Sequence, residues 1–334
     1  MKLNMMLLVF LLLTGFIVAD STPLNESENN LTDHSPVSEV EALKKRVTEL
    51  EAELAKYKQV KPVIGSVKHS AKKTPPPKEI LKGEKFSLQT TTPKKVSAYL
   101  TAAYQTADDL KVKLVQNGFD VLATDEILKG KTVITISNEA LRDTNSFLSA
   151  LHILVNDDHE IRVQNPSYFG AAFLQDKYTF GDFNETLKSL QVVLGDMYIS
   201  KEQYKLDDLG DYNFMLGMPH FNDTITVAKG SDIISKLTKE GSEKYISYTL
   251  KLPNGSVLVG HKLQDVTYEY LKKIDVAHNA QIFPYQVMIE EERAYMLNPK
   301  YYLALSFPLL SMTDFMQIAS APEEIVKDIV EAYK

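Results

Sequence analysis

Apolar residues recur every three or four positions in one N-terminal stretch and alternate in short runs through the rest of the chain. Within residues 37–58 this spacing matches the a and d positions of a coiled coil, and three pairs of g and e positions carry opposite charges. We therefore expect a parallel homo-oligomer, a dimer or a trimer. The alternative is a single amphipathic helix packed on the globular part. The a and d residues are Val40, Leu43, Val47, Leu50, Leu54 and Tyr57.

The pattern over residues 96–194 predicts an α+β unit. A helix is expected over 106–117, with Thr106 as its N-cap, and a second helix is expected to begin at Pro166 after the N-cap Asn165. The acidic pair Asp157-Asp158 is predicted to form a turn between two strands. The predicted strands are 96–104, 119–127, 132–137, 150–155 and 160–163.

Residues 223–334 predict a second unit of the same kind. Helices are expected over 231–240, 265–274, from Pro299 onward, and over 322–333. Residues 195–222, called the bridge below, are rich in aromatic side chains, so we expect them to pack on a domain. The predicted strands are 224–228, 245–252, 256–259, 285–289 and 293–296.

The two units share a motif. The segment Asn165–Ala171 recurs 133 residues later as Asn298–Ala304. Aligned without gaps upstream of this motif, His152–Val155 matches Tyr285–Met288, and a further strand block, Val133–Ile136, matches Val257–Gly260. The period is far longer than that of a solenoid, so it indicates two globular copies.

The order of these elements resembles the bacterial domain of unknown function 302 family. The resemblance rests on a helix ending at Gly118, the apolar strand Leu151–Val155, an acidic turn and the Asn-Pro-x-Tyr helix start. It covers about residues 96–185 and, more loosely, 223–315. It implies a small two-layer α/β sandwich that forms dimers, so two copies in one chain would form an internal pseudo-dimer. It implies no established activity and therefore no catalytic residues.

The N-terminus predicts export. Lys2 precedes an apolar run from Met5 to Ala19, which is shorter than the ~20 residues of a membrane-spanning helix. Residues 1–19 are therefore expected to be a signal peptide, with an uncleaved membrane anchor as the alternative, and residues 20–36 are expected to be disordered. The chain has no cysteine, which excludes disulfides and a lipoprotein anchor. Together these features favour a periplasmic or other envelope protein of a bacterium.

Residues 59–95, called the linker below, carry nine lysines against two glutamates and three consecutive prolines. This composition predicts an extended segment. It acts either as a soluble spacer or as a contact for an anionic envelope polymer or lipid. The net charge of −7 gives no sign of nucleic-acid binding.

No residue pattern identifies a reaction. The sequence contains no nucleotide-binding glycine loop and no serine-nucleophile motif, and neither a metal site nor a cofactor is expected. Arg162, Tyr168 and Tyr301 are the candidates for ligand contact, although capping and packing explain the motif's residues better. The favoured function is a non-enzymatic binding or scaffold protein. The alternative is a small-ligand sensor or an enzyme with its site in the cleft between the copies.

Overall fold

The computed structural model describes residues 83–156, 159–239 and 241–334, together with Lys45 and Thr48. The chain divides into two compact units, Met1–Ala71 and Lys72–Lys334, and the fold below belongs to the second. The predicted signal peptide, coiled coil and acidic turn, with most of the linker, lie outside the described residues. Every helix in the described part is too short or too polar to cross a membrane.

The first copy is a mixed α/β unit. Four of its five predicted strands and both helix starts are confirmed, whereas the strand predicted over 96–104 is divided at Ala98 into two strands that belong to different sheets. Thr106 accepts a hydrogen bond from the Asp109 amide, and Asn165 accepts one from the Ser167 amide, so both act as N-caps. Two helices, α2 and α4, were not predicted. The elements are β1 (Lys95–Ser97), β2 (Tyr99–Ala103), α1 (Ala107–Gln116), β3 (Asp120–Leu128), β4 (Lys131–Ser137), α2 (Glu139–Arg142), β5 (Leu151–Asn156), β6 (Glu160–Gln164), α3 (Pro166–Leu174) and α4 (Asn184–Leu194).

The second copy repeats this plan after the bridge, which contributes β7 and β8. All five of its predicted strands are confirmed, as are the helix start at Pro299 and the final helix. The elements are β7 (Met197–Ile199), β8 (Gln203–Lys205), β9 (Ile225–Lys229), α5 (Ile233–Leu237), β10 (Ile246–Lys251), β11 (Val257–His261), α6 (Asp265–Tyr268), α7 (Tyr270–Lys273), β12 (Tyr285–Glu290), β13 (Arg293–Met296), α8 (Pro299–Ser306), α9 (Met312–Gln317) and α10 (Ala321–Glu331).

Two helices of the second copy are shorter than predicted. The hydroxyls of Ser235 and Thr238 bond to backbone carbonyls three residues earlier, which competes with continuing the helix, so α5 ends at Leu237. The segment predicted as one helix over 265–274 is interrupted at Glu269. The bond from the Glu269 amide to the Val266 carbonyl tightens the backbone to a 3₁₀ turn there.

The two large sheets are antiparallel and share one strand order, and β1 and β8 form a separate two-stranded sheet. The first sheet runs β3-β4-β5-β6-β2-β7, and the second runs β10-β11-β12-β13-β9. When β9 to β13 are matched with β2 to β6, the two orders are identical except for the extra strand β7. The bridge therefore completes the first sheet, and the expectation that it packs on a domain is confirmed.

The hairpin after β5 corrects the ungapped alignment of the copies. Asn156 pairs with Glu160 in the first copy, whereas Glu290 pairs with Arg293 in the second, so the second turn is one residue shorter. If the last residue pairs of the two hairpins are taken as equivalent, His152 of the first copy corresponds to Gln286 of the second copy rather than to Tyr285. The earlier alignment was wrong there because a motif match downstream of a turn cannot show a deletion inside it.

The end of the linker packs on the first copy instead of remaining a free spacer. The amide of Phe86 bonds to the Met197 carbonyl at 2.8 Å, and that of Ile199 bonds to the Glu84 carbonyl at 2.8 Å. Phe86 and Leu88 are partly buried against the core. The prediction of an extended segment relied on the lysine-rich composition of the whole linker. It overlooked these two apolar residues, which pack on the core.

The copies meet through reciprocal contacts on a surface called the seam below. The 3₁₀ turn Ala277–Ile282 of the second copy packs on β4, β5 and β6, while the turn Phe147–Ser149 of the first copy packs on β12. The corresponding strands β3 and β10 also pack against each other. The two sheets therefore share one continuous core rather than two separate ones.

Candidate functional site

Tyr168 and Tyr301, two predicted ligand contacts, are both buried, Tyr168 in the seam and Tyr301 against Tyr212 of the bridge. Tyr168 in the first turn of α3 is fully buried, and Tyr301 at the same position of α8 is 2% exposed. Burial raises the pKa of both phenols above the usual range, so each hydroxyl stays a neutral donor. Neither side chain is accessible to a ligand from solvent.

Two tyrosines of the first copy cap a helix of the second. The carbonyls of Leu305 and Ser306 lie in the last turn of α8, where no amide within the helix can reach them. The Tyr168 hydroxyl donates to the Leu305 carbonyl at 2.8 Å, and the Tyr99 hydroxyl donates to the Ser306 carbonyl at 2.7 Å. The Tyr301 hydroxyl has no hydrogen-bond partner among the described residues.

This asymmetry gives a matched pair of substitutions. Tyr168→Phe is expected to lower the free energy of unfolding by about 1–2 kcal/mol, because it leaves a buried carbonyl without its donor. Tyr301→Phe removes a hydroxyl that makes no bond and should be neutral or slightly stabilising. Urea unfolding of the full chain, followed by near-ultraviolet circular dichroism of tyrosine, measures both. Equal losses in the two variants would contradict the cross-copy cap.

Arg162, the third predicted contact, lies in a buried ionic cluster. Its guanidinium is 3.1 Å from the Glu202 carboxylate and 3.6 Å from that of Glu160, and it lies over the ring of Tyr99 at 5.6 Å. The Arg162–Glu202 pair does not have hydrogen-bond geometry. The structure therefore does not bring Arg162, Tyr168 and Tyr301 into one binding pocket.

Glu202 is the functional candidate that the sequence did not reveal. It lies in the turn between β7 and β8, where its carbonyl accepts a hydrogen bond from the Ala98 amide at 2.7 Å. Its side chain is 4% exposed and faces two residues of the second copy. The Glu202 carboxylate is 3.4 Å from the Asn279 amide nitrogen and 3.6 Å from His278 Nε2. Glu202 thus joins the first copy, the bridge and the second copy.

The environment of Glu202 keeps it ionised. Burial alone would raise the pKa of this carboxyl, but the neighbouring His278, Arg162 and Ser200 outweigh burial and hold the pKa well below its usual range. A buried carboxylate needs such compensation, because removing an ion from water is costly. The folded chain therefore holds a buried, negatively charged carboxylate at this position.

A cavity of about 140 Å³ opens beside Glu202 at the edge of the seam. Both apolar and charged or polar side chains line this rim cavity. Its lining residues are Lys201, Glu202, Ile274, Val276, His278, Asn279, Phe307, Leu309, Leu310 and Asp314.

A second cavity, of about 130 Å³, lies where the end of the linker crosses the start of α3. The polar groups of Ser97 and Asn165 at its wall bond to the backbone or to other side chains. Those bonds hold the N-cap of α3 in place. The polar groups at this wall therefore have a structural role, and they do not indicate a ligand site.

His159 packs edge-on against the ring of Tyr104 at 5.2 Å. Within the described residues, no three histidine or acidic side chains are arranged to hold one ion.

The chain was compared with protein-family models, with curated proteins and with solved structures. No protein-family model, no curated protein and no solved structure matches it.

Proposed function

We propose that this chain is an exported bacterial envelope protein with a non-enzymatic binding or scaffold function. The observation that carries this proposal is the filled seam. Buried aromatic side chains occupy its interior, and hydroxyls of the first copy bond to the backbone of the second. A rigid double unit of this kind is suited to presenting surfaces, because a central catalytic cleft would need accessible space.

We propose further that the double unit is an internal pseudo-dimer of two α/β-sandwich copies. The identical strand orders and the reciprocal packing of the two 3₁₀ turns support this view, since an isologous interface makes each contact twice. We also propose that both copies belong to the domain of unknown function 302 family. The resemblance to that family implies a fold that forms dimers, which agrees with this proposal.

Self-association through residues 37–58 is the testable part of the scaffold function. Leu50→Asp places a charge at a d position and should convert the oligomer to monomers in sedimentation velocity experiments on the full chain. Ala52→Asp makes the same change at an outer position and should leave the oligomer intact. A wild-type chain that sediments as a monomer would overturn the coiled-coil proposal.

The lysine-rich linker is proposed to contact an anionic envelope polymer or lipid. Its excess of seven lysines over glutamates supports a charge-driven contact, which salt should weaken. Retention of the full chain on purified peptidoglycan at low salt, lost at high salt, would support this contact. Absence of retention at low salt would leave the linker as a spacer.

A second candidate function, a small-ligand sensor, is favoured by the rim cavity. Glu202 from the bridge, backed by Arg162 of the first copy, meets His278 and Asn279 of the second copy there. Ionisable groups from separate segments thus converge on one accessible space. This arrangement is typical of a binding site, and occupation of the cavity would stabilise the seam.

A further inference from the structure

The buried ionic cluster contains more negative than positive charge. Two carboxylates, of Glu160 and Glu202, share the single guanidinium of Arg162, and these three side chains are 11%, 4% and 8% exposed. His278 adds a positive charge only when it is protonated. Among the other residues that line the cavity, Lys201 and Asp314 carry opposite charges and do not change this balance.

One oxygen of the Glu202 carboxylate also lacks a hydrogen bond. Oε1 faces Asn279 and His278, whereas Oε2, although 3.1 Å from an Arg162 nitrogen, has no hydrogen-bond donor among the described residues. Buried carboxylate oxygens normally accept hydrogen bonds. Oε2 is itself buried, so a ligand in the cavity would approach the carboxylate from the side of His278 and Asn279.

The apolar residues that line the rim cavity indicate what kind of ligand could fit there. Ile274, Val276, Phe307 and Leu310 surround the space next to Glu202 with hydrocarbon. A volume of about 140 Å³ admits a short, narrow molecule rather than a sugar chain or a nucleotide. An anionic group is disfavoured beside the buried carboxylate of Glu202.

We propose that the rim cavity binds a small primary alkylamine, whose ammonium group is the counter-charge for Glu202. An ammonium group carries three donors and one positive charge, and its unbranched stem packs on the apolar walls. This inference rests on the second candidate function, the ligand site at the rim cavity.

Three probes of equal length test the assignment: n-pentylamine, 1-pentanol and pentanoate, titrated into the full chain and followed by isothermal calorimetry at neutral pH. The amine should bind at least about tenfold more tightly than either other probe, because only its head group carries a charge opposite to that of Glu202. Glu202→Gln should reduce the amine's affinity to that of the alcohol. Glu323→Gln, which removes an exposed acid outside the cavity lining, should keep the preference.

The outcomes separate the inference from the function on which it rests. A parent chain that prefers pentanoate or pentanol, or a folded Glu202→Gln variant that keeps the amine preference, overturns the ammonium assignment but leaves a ligand site. No binding of any probe to the parent overturns both. If Glu202→Gln fails to fold, Leu310→Trp, which fills the cavity, must abolish amine binding. Retained binding in that variant also overturns the proposal.

Discussion

Replacing Arg162 by methionine is expected to destabilise the double unit by about 3–5 kcal/mol, because it leaves the carboxylates of Glu160 and Glu202 buried without their cation. Methionine retains most of the apolar stem but removes the guanidinium from the ring of Tyr99, so this loss includes the cation–π attraction. The loss should appear in urea unfolding at neutral pH, followed by near-ultraviolet circular dichroism. Every tyrosine except Tyr57 lies within residues 83–334, so the signal reports on this unit.

Arg142 supplies the matched control. It pairs with Asp120 on the surface, where the carboxylate side chain is 61% exposed, so Arg142→Met should cost no more than about 1 kcal/mol. Adding Glu202→Gln to Arg162→Met removes one uncompensated charge and should recover part of the loss. Similar losses for Arg162→Met and Arg142→Met would show that the buried cluster is not electrostatically important.

The local signals in the sequence were sufficient for most secondary structure. Thr106 and Asn165 are N-caps whose side chains bond within three residues, and the alternation in β4 and β5 depends on nearest neighbours along the chain. Helix α4 was missed although its apolar residues are buried. Its N-cap residue, Phe183, makes no side-chain capping bond, so the usual start signal is absent.

The candidate site could be predicted only in part. Arg162 was singled out, but its partner Glu202 is 40 residues away in a segment that looked like a connection. The sequence does not show whether a glutamate will be buried or exposed, because its burial depends on tertiary contacts with residues distant in the chain. Tyr168 and Tyr301 match in sequence, yet only Tyr168 bonds across the seam.

Acid is expected to weaken the double unit through two buried histidines. His152 on β5 lies 2.9 Å through Nδ1 from the Gln281 carbonyl across the seam, and its Nε2 has no hydrogen-bond partner among the described residues. Burial lowers the pKa of His152 to about 4 and that of His261 to about 3. Both imidazoles are therefore neutral in the folded chain well below the pH at which an exposed histidine is protonated.

The sign of the pH dependence follows from where the protons bind. In the unfolded chain a histidine takes up a proton below about pH 6.5, whereas these two in the folded chain do not do so until pH 4 or lower. The unfolded state thus binds more protons in this window, so the free energy of unfolding falls as the pH falls. Each histidine should contribute about 1.4 kcal/mol per pH unit below 6.5, or roughly 3 kcal/mol by pH 4.5.

The measurement is the slope of unfolding free energy against pH between 6.5 and 4.5, from urea titrations of the full chain. His152→Asn keeps a donor near the Nδ1 position, and His261→Gln keeps an amide near the Tyr333 hydroxyl, so both remove the titration while retaining a hydrogen bond. The double variant should lose most of the slope. Ile153→Val on the same strand should lower stability at every pH by about 1 kcal/mol without changing the slope. A double variant that keeps the parent's slope would assign the acid sensitivity to carboxylates instead.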